Sequence, residues 1–461
     1  MRAARLHAAG DLRVGEEPVP GASEGMSLVR VTAVGICGSD LHWWDEGAIG
    51  DATLAHPLVL GHEGAGVIAE GPRRGERVAI DPAIACGTCR ACRDGYANLC
   101  YRIRFAGHGE TDGMMREFMT WPTELLYPLP DGVSDADGAL LEPLGVALHS
   151  VDLGHLRFGG TASVVGCGPI GLLLIAVLKA AGASSVLAIE PLAHRREAAS
   201  RYGADVVAEP GADLRELTGF GVDVAFEAAG TGDGVRLAVE SARPGGRVVL
   251  AGIPSDDKIT LRASVARRKG LTIAMVRRMN HVYPRAIGLA ARGAVDLGSL
   301  VSTRAGLDSA AGAFGEAARR TGLKVLIEPL HCVVTMRLVR AVRLAAVLDL
   351  CCVLVFVIIG RARHDAAGGE SLGGIAFTAW PFLAGLVLGW LAVRAWRRPS
   401  ALVPSGVGAW LGAAGLGMVL RVTAGQGTAV AFVLVALAFL GLFLLGWRVV
   451  ARIFMRGPEP R

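Results

Sequence analysis

The first seventeen residues, MRAARLHAAGDLRVGEE, lack an apolar run long enough to form the core of a secretory signal. We therefore expect the head of the chain to be cytoplasmic. From Leu330 onward the chain lacks lysine altogether and contains only four acidic residues. The sequence also has no feature that points to nucleic acid, and we expect none to bind.

Charge divides the chain into two unequal parts. From Leu330 to Arg461 there are thirteen Arg and four acidic residues, which give a net charge of +9. Because the whole chain carries +5, residues 1–329 carry −4. The hydrophobic share of 52% is high for a wholly soluble protein. A mildly acidic head joined to a basic, apolar tail indicates two separate parts.

Four of the nine cysteines lie in the fifteen-residue stretch CGTCRACRDGYANLC, as Cys86, Cys89, Cys92 and Cys100. In a cytoplasmic chain such clustering favours metal binding over disulfides. Four thiolates at this spacing suit a closed, tetrahedral and structural Zn²⁺ site. The first three also fit the spacing of an iron–sulfur cluster. Unligated buried cysteines are the remaining alternative.

A second group of potential ligands is spread over three segments. Cys37 lies in GICGSDLH, His62 and Glu63 lie in LGHEGAGV, and Glu142 lies in LLEPLGVALH. A thiolate, an imidazole and one carboxylate can hold zinc and leave a fourth position for water or substrate, as a catalytic site requires. Each piece alone is a weak signal.

The segment TASVVGCGPIGLLLIAVLKAAGASSVLAIE reads as a strand, a tight turn, a helix and a second strand. Its glycines form the pattern G-x-G-x-x-G, which allows the turn, the close approach of a pyrophosphate and tight helix–strand packing. The helix N-terminus then faces the phosphates. The predicted phosphate-binding residues are Gly166, Gly168, Pro169, Ile170 and Gly171.

The acidic residue Glu190 follows the last glycine of this loop by nineteen positions. It can accept hydrogen bonds from the ribose hydroxyls and would repel a 2′-phosphate, which favours NAD over NADP. Arg195 and Arg196 lie near enough to weaken this preference. The alternative is that both arginines lie on the solvated face of the following helix.

These motifs occur in one order, and residues 1–328 resemble the zinc-dependent medium-chain dehydrogenases. The run GICGSDLHWWDEGAIGDATLAHPLVLGHEGAGVI is most similar to the sorbitol and L-idonate 5-dehydrogenase group. The resemblance implies two zinc ions per chain and a catalytic zinc held by Cys37, His62 and either Glu63 or Glu142. It also implies that the four-cysteine segment holds structural zinc.

The same resemblance assigns roles in proton transfer. Ser39 and His42 match the family's proton relay, which leads from the substrate hydroxyl to solvent, and Asp40 would orient a zinc ligand. The sequence departs from the group at Trp43 and Trp44, where at least one Tyr is expected. This difference leaves the identity of the substrate open.

The resemblance implies an α/β fold with a GroES-like β-barrel catalytic domain at residues 1–150, completed by 276–328. A doubly wound Rossmann domain would occupy residues 151–275. Arg278 follows the last predicted strand of that domain, and a contact with substrate and a solvated position are equally compatible with its place. We expect a homo-oligomer that oxidises a secondary hydroxyl of a polyol or sugar acid to a ketone, with L-idonate as the first choice. Threonine, butanediol or sorbitol is the alternative substrate.

Residues 337–461 are predicted to form an all-α membrane domain of four spans. The tail resembles a small bacterial family of four-helix membrane proteins of unknown function. Each apolar run is about 17–20 residues, enough to cross a ~30 Å hydrocarbon core. Asp349 lies inside the first run, where it either points to the interior or reaches towards the membrane surface. The runs are Leu344–Gly360, Ile375–Val393, Ala401–Leu420 and Thr428–Trp447.

Arginine placement predicts the orientation of these spans. One side carries three arginines (Arg361, Arg363 and Arg421) and the other carries ten, so we expect both ends of the tail in the cytoplasm. The ten are Arg337, Arg340, Arg343, Arg394, Arg397, Arg398, Arg448, Arg452, Arg456 and Arg461.

The junction at residues 329–336 has no Gly/Ser-rich or Pro-rich linker. This favours the joining of two neighbouring genes or reading frames, in which Met336 was the original first residue of the second protein.

The competing interpretation of the whole chain is a membrane protein or transporter with a nucleotide-sensing head.

Overall fold

The structure is a computed structural model that describes residues 1–255, 257–362 and 372–455. The chain divides into two compact units, Met1–Cys332 and Val333–Arg461. Three of the arginines used to predict the membrane orientation, Arg363, Arg456 and Arg461, lie outside the described residues.

The first unit contains β-sheets and helices. Its strands β1–β20 are, in chain order, Arg2–Ala8, Asp11–Glu16, Met26–Gly35, Ala48–Ile49, Ala52–Thr53, Leu58–Val59, Glu63–Glu70, Arg77–Ile80, Ala83–Ile84, Arg104–Phe105, Phe118–Pro122, Leu126–Pro128, Thr161–Val165, Ser185–Ile189, Val206–Ala208, Val222–Glu227, Ala242–Leu250, Thr272–Met275, Val301–Ala305 and Lys324–Ile327. Its helices α1–α10 are Gly38–Glu46, Arg90–Arg93, Asp135–Gly154, Pro169–Ala180, Ala193–Arg201, Leu214–Thr218, Gly232–Ser241, Ala263–Lys269, Tyr283–Ala291 and Ala310–Ala318. Single 3₁₀ turns are formed by Ala97–Leu99, Thr123–Leu125, Gly298–Leu300 and Leu307–Ser309.

A seven-stranded sheet forms the barrel-like part of this unit. Its order is β12-β8-β7-β3-β20-β19, and β11 pairs with β3. Strand β20 lies antiparallel to β3, with Ile327 opposite Val34. The last strand of the unit therefore belongs to the same sheet as strands from its N-terminal part. The inward side chains of β3 are buried with those of β7 and β8 in one apolar core. This arrangement places the loop after β3 beside the start of β7.

A second sheet of six parallel strands has the order β15-β14-β13-β16-β17-β18. This is the doubly wound order 3-2-1-4-5-6, in which a ligand binds at the carboxyl ends of the strands where the order reverses. That point lies between β13 and β16. The predicted fold class, a GroES-like barrel with a Rossmann domain, is confirmed. Helix α3 packs against β7 of one sheet and against α4, which follows β13 of the other.

The second unit is helical. Its helices α11–α15 are His331–Ala362, Leu372–Ala392, Val407–Trp410, Gly417–Thr423 and Val430–Met455, with π-helical turns at Leu402–Gly406 and Leu411–Leu416 and a 3₁₀ turn at Ala395–Arg397. Four helical stretches among the described residues are long and apolar enough to cross a membrane, as predicted. Their ends differ from those of the predicted runs by up to three residues, except at the C-terminus of the fourth, where the difference is four residues. We name these stretches spans 1 to 4: Val342–Arg361, Gly373–Ala392, Leu402–Thr423 and Val430–Ala451.

Asp349 of span 1 is fully buried and forms a two-pronged ion pair with Arg448 of span 4. Both oxygen–nitrogen distances are 2.7 Å. The indole N–H groups of Trp390 and Trp447 each donate to the same carboxylate at 2.8 Å. Of the two alternatives for Asp349, the structure shows the interior position. The ion pair joins spans 1 and 4, and Trp390 connects it to span 2.

Spans 2 and 3 are in direct backbone contact through glycine. A Cβ atom added at Gly412 would overlap the carbonyl oxygen of Gly385 and lie 2.7 Å from Cα of Gly389. A Cβ atom at Gly389 would in turn overlap the carbonyl oxygen of Gly408. Small residues at such positions allow helices in a membrane to approach closely.

We expect Gly412→Leu to destabilise the second unit by about 1–3 kcal/mol or more, because the new side chain forces spans 2 and 3 apart. Thermal unfolding of the full chain in detergent measures this effect. Gly446→Leu is the matched control, since no heavy atom beyond its own helix lies within 4 Å of a Cβ there. Equal midpoints for the two variants would contradict the expectation.

Candidate active site

Three predicted metal ligands come together in the first unit. The ligand atoms of Cys37, His62 and Glu63 all lie within 4.8 Å of one another. Cys37 caps the N-terminus of α1, and His62 immediately precedes β7. Between them, Gly61 adopts φ +93° and packs closely on Val34, which only glycine does without strain. The antiparallel pairing of β3 with β7 thus explains why distant segments share one site.

Asp40 holds two of these ligands in place. Its carboxylate accepts hydrogen bonds from the backbone N–H of Cys37 at 2.9 Å and of Gly61 at 3.1 Å. One oxygen also lies 3.4 Å from Nδ1 of His62. Burial disfavours the charged form of Asp40, but the imidazole and the two amides outweigh it and lower the pKa of this carboxyl. The Nε2 atom of His62 is thereby directed away from Asp40.

Ser39 and His42 lie three positions apart on α1, a spacing that puts them on one face of the helix. The hydroxyl of Ser39 is 3.4 Å from Nε2 of His62. The imidazole of His42 is 3.3 Å from a carboxylate oxygen of Glu46, which is exposed to solvent. Of the two predicted relay residues, Ser39 therefore lies beside the ligand group, and His42 lies next to an exposed carboxylate.

The two candidate carboxylates occupy different positions. Glu63 lies with Cys37 and His62, whereas Glu142 is buried on α3 and is not part of the compact ligand group that the described residues form. Burial raises the pKa of Glu142 to about 7. Lys324, at the start of β20, lies 2.6 Å from the Glu63 carboxylate, and both side chains are buried. Sequence reasoning missed Lys324, although it is the one charged residue in an otherwise apolar buried strand.

Arg278 lies near this ligand group. Its guanidinium carbon is 4.1 Å from the ring centroid of Phe105, and that ring is 5.2 Å from the ring of His62. Its backbone φ is +57°. Burial lowers the pKa of Arg278 to about 10, so the side chain remains a cation at neutral pH. Its Nη1 atom is buried and makes no hydrogen bond within the described part of the chain.

The two tryptophans that replace the expected tyrosine are core residues. Trp43 is buried and contacts His108 edge-to-face at 5.5 Å. Trp44 packs on Phe314, and its buried indole N–H has no hydrogen-bond partner in the described residues.

The four clustered cysteines form a compact group whose sulfur atoms all lie within 4.8 Å of one another. Sγ of Cys89 is 3.5 Å from that of Cys92 and 3.9 Å from that of Cys100. A tetrahedral Zn²⁺ with bonds of about 2.3 Å requires sulfur separations of about 3.8 Å, so the residues present fit zinc. Backbone hydrogen bonds from Thr88 and Cys89 lower the pKa of Cys86 to about 5, which favours a thiolate.

The glycine-rich loop joins β13 to α4. Gly166 adopts φ +89°, and a Cβ atom there would lie 2.7 Å from the backbone of Ala229. Gly168 is the N-cap residue of α4, and Pro169 and Ile170 belong to its first turn. A Cβ atom at Gly171 would overlap the carbonyl oxygen of Gly166. The loop thus presents a helix N-terminus without intervening side chains at the switch point of the sheet.

Glu190 follows β14 and is buried beside this loop. Its oxygens accept from the backbone N–H groups of Cys167 at 2.7 Å and Leu192 at 3.0 Å. Arg196 pairs with Glu209 at 2.7 Å and donates to the carbonyl of Glu190 at 2.9 Å. Arg195 differs, because one of its nitrogens lies 3.6 Å from the Cβ position of Gly168. The two arginines therefore occupy different environments.

Three family models match the chain. Residues 23–131 match the alcohol dehydrogenase GroES-like domain, and residues 169–292 match the zinc-binding dehydrogenase domain. Residues 346–451 match a family described only as a protein of unknown function, DUF3054.

Known relatives match most of the first unit's length. The chain is 34% identical over 345 residues to the sorbitol dehydrogenase of Bacillus subtilis, covering 71% of this chain and 97% of the relative. It is 38% identical over 317 residues to a probable D-xylulose reductase A of Neosartorya fischeri, covering 65% and 88%.

Two solved structures are similar over 71% of this chain. A zinc-binding dehydrogenase of Sinorhizobium meliloti, bound to NADP, superposes with a TM-score of 0.66 at 31% identity over 99% of its length. The L-idonate 5-dehydrogenase of Escherichia coli superposes with a TM-score of 0.67 at 26% identity over 97% of its length.

Proposed function

The chain belongs to the zinc-binding alcohol dehydrogenase family, and from this membership we propose that it oxidises a secondary hydroxyl of a sugar acid to a ketone with NAD as the acceptor. L-Idonate is the first candidate substrate. The observation that carries the proposal is the buried Nη1 atom of Arg278, which has no hydrogen-bond partner among the described residues and lies near the Cys37, His62 and Glu63 group. Sorbitol, butanediol and threonine are the alternative substrates.

Cys37, His62 and either Glu63 or Glu142 would hold the catalytic zinc, and Cys86, Cys89, Cys92 and Cys100 the structural one. When bound, the catalytic zinc supplies Lewis-acid chemistry that lowers the pKa of a coordinated hydroxyl to ~7. Ser39 then accepts the proton of the substrate hydroxyl, and His42 passes a proton to solvent. Asp40 keeps the imidazole of His62 oriented throughout.

A negatively charged Glu190 supports NAD over NADP. The carboxylate is held in place by two backbone N–H groups, so a 2′-phosphate placed beside it would meet a fixed negative charge. Arg195 is the residue that would favour NADP if it turned towards the ribose. NAD, when bound, would accept the hydride from the substrate carbon, and Ser39 and His42 would carry the hydroxyl proton to solvent.

We expect Glu190→Gln to lower kcat/KM for NAD by about tenfold and to raise kcat/KM for NADP, because the substitution keeps an acceptor oxygen and removes the charge. Initial rates with each nucleotide measure both effects. Glu197→Gln, an exposed position on the next helix, is the control. An unchanged NADP/NAD ratio would contradict the role of Glu190.

Arg278 supports a sugar acid as the substrate. A carboxylate would pair with the free Nη1 and satisfy a donor that is otherwise buried without a partner. A neutral polyol such as sorbitol offers only hydroxyl groups to the same cation. An acid therefore gains more from this position than a polyol does.

We expect Arg278→Leu to lower kcat/KM for L-idonate by about 10- to 100-fold, while kcat/KM for sorbitol changes by less than about threefold. Arg277→Leu, at the adjacent exposed position, should leave both values unchanged. An equal loss with both substrates would show that Arg278 supports the fold rather than selecting the substrate.

Spans 1 to 4 support a membrane location. From the distribution of arginines we propose that the first unit and both ends of the tail are cytoplasmic, and we expect a homo-oligomer. Formation of NADH from a panel of polyols and sugar acids, assayed in membrane and soluble fractions, tests activity and location together. Turnover in the membrane fraction with a full-length band supports an anchored enzyme. Turnover in the soluble fraction with a shortened band supports separate production of the head. Binding of NAD without turnover of any alcohol would favour a nucleotide-sensing membrane protein.

A further inference from the structure

A cavity of about 500 Å³ lies inside the second unit, at the end of the helices opposite the Asp349–Arg448 ion pair. All four spans contribute to its walls. Most of the wall is apolar and aromatic, but four polar side chains also face it, those of Arg361, Thr378, Arg421 and Thr428. Its lining also includes the aromatic residues Phe356, Phe382 and Phe432.

The guanidinium of Arg421 lines this cavity and is only partly hydrogen-bonded. Its guanidinium carbon lies 4.7 Å from the ring centroid of Phe432, and its Nε donates to the carbonyl of Gly427 at 3.2 Å. Its Nη1 atom is buried and has no hydrogen-bond partner within the parts of the chain that the structure describes. A buried donor of this kind is costly unless something else pairs with it.

The opposite wall carries a second cation in a defined position. Arg361 donates to the hydroxyl of Thr378 at 3.2 Å and to the carbonyl of Gly374 at 3.1 Å. These contacts fix its guanidinium near the end of span 1. Two arginines and two threonine hydroxyls thus line a cavity whose remaining walls are mainly phenylalanine rings and aliphatic groups.

We propose that this cavity binds an anionic amphiphile drawn from the membrane, with its carboxylate or phosphate on Arg421 and its apolar body among the three phenylalanines. The volume lies in the range of small-molecule sites, and an aromatic wall with few polar groups is the usual lining of such sites. Arg361 and Arg421 lie near the ends of their spans, a depth from which a long basic side chain can reach the polar headgroup region of either leaflet. The proposal concerns the second unit alone and holds whether or not the dehydrogenase proposal is correct.

The test uses the full chain in an uncharged detergent and measures its affinity for decanoate and for decanol, which differ in the anionic group. Decanoate is expected to bind at least tenfold more tightly. Arg421→Gln should remove at least tenfold of that affinity, and Arg421→Lys, which keeps the charge, should remove less. Arg394→Gln, at an exposed position beyond span 2, is the control and should change nothing.

Two further comparisons separate the sources of the anion. In nanodiscs, phosphatidylglycerol should compete with decanoate at the Arg421 site, whereas phosphatidylcholine should not. Equal affinities for decanoate and decanol, or unchanged affinity in a folded Arg421→Gln variant, would overturn the proposal. Tight, Arg421-dependent binding of inorganic phosphate with no preference for decanoate over decanol would also overturn it, because the site would then take a free anion.

Discussion

Replacing Cys37 with Ser is expected to lower kcat by at least about 10³-fold. Cys37, His62 and Glu63 form a compact ligand group, and a serine hydroxyl stays protonated where the cysteine would bind as thiolate. A zinc ion held there would contribute several kcal/mol to catalysis as a Lewis acid, and a loss of about 4 kcal/mol corresponds to about 10³ in rate. Initial rates of NADH formation and elemental analysis for zinc measure the effect.

The companion variant Cys351→Ser controls for the chemical change, since Cys351 is an exposed cysteine of the second unit. The affinity for NAD should persist in Cys37→Ser, because the glycine-rich loop belongs to a different sheet. The zinc content should fall from two ions per chain to one, held by the four-cysteine group. Unaltered turnover, or two zinc ions retained, would remove Cys37 from the catalytic site.

Asp349→Asn is expected to lower the free energy of unfolding of the second unit by about 3–5 kcal/mol. The substitution leaves the fully buried guanidinium of Arg448 without its counterion, although the shape of the side chain is preserved. Trp390 and Trp447 donate to this carboxylate, so their fluorescence reports directly on the site. Thermal unfolding of the full chain in detergent, followed by that fluorescence, measures the loss.

The double variant Asp349→Asn with Arg448→Leu should recover part of the lost stability, because no unpaired charge then remains buried. Arg397→Leu, at an exposed position, should have little effect. If Asp349→Asn unfolds at the same temperature as the unaltered chain, the ion pair contributes no net stability. A double variant less stable than Asp349→Asn would show that Arg448 stabilises the unit by contacts other than the ion pair.

The predictions from sequence were best where the signal is local. The glycine spacing from Gly166 to Gly171 and the spacing of the four cysteines each lie within fifteen residues, and each acts through the backbone of one loop. The four apolar runs identified the four spans, because length and hydropathy alone decide whether a helix can cross a membrane. Their ends were less accurate, since charged residues such as Arg361 still belong to the helix and hydropathy alone does not mark where a helix ends.

The remaining site residues depend on distant pairings that no local pattern reveals. Lys324 reaches Glu63 only because β20 returns to β3, and Phe105 meets Arg278 across the first unit. The partner of Asp349 lies 99 residues further along the chain, so its position in the first run left two orientations equally compatible. The sequence did not predict that Trp43 is a buried core residue, because its burial depends on how α1 packs against the rest of the unit.

The contact between spans 2 and 3 also has a mechanical consequence. A carbonyl oxygen of one helix occupies the place that a side chain of the other would need at Gly412 and at Gly389. Rotation of either helix would bring residues that carry a Cβ atom to these positions, where they would overlap the facing backbone. We therefore expect spans 2 and 3 to stay together in any change of shape of the four-helix unit, with spans 1 and 4 moving relative to them.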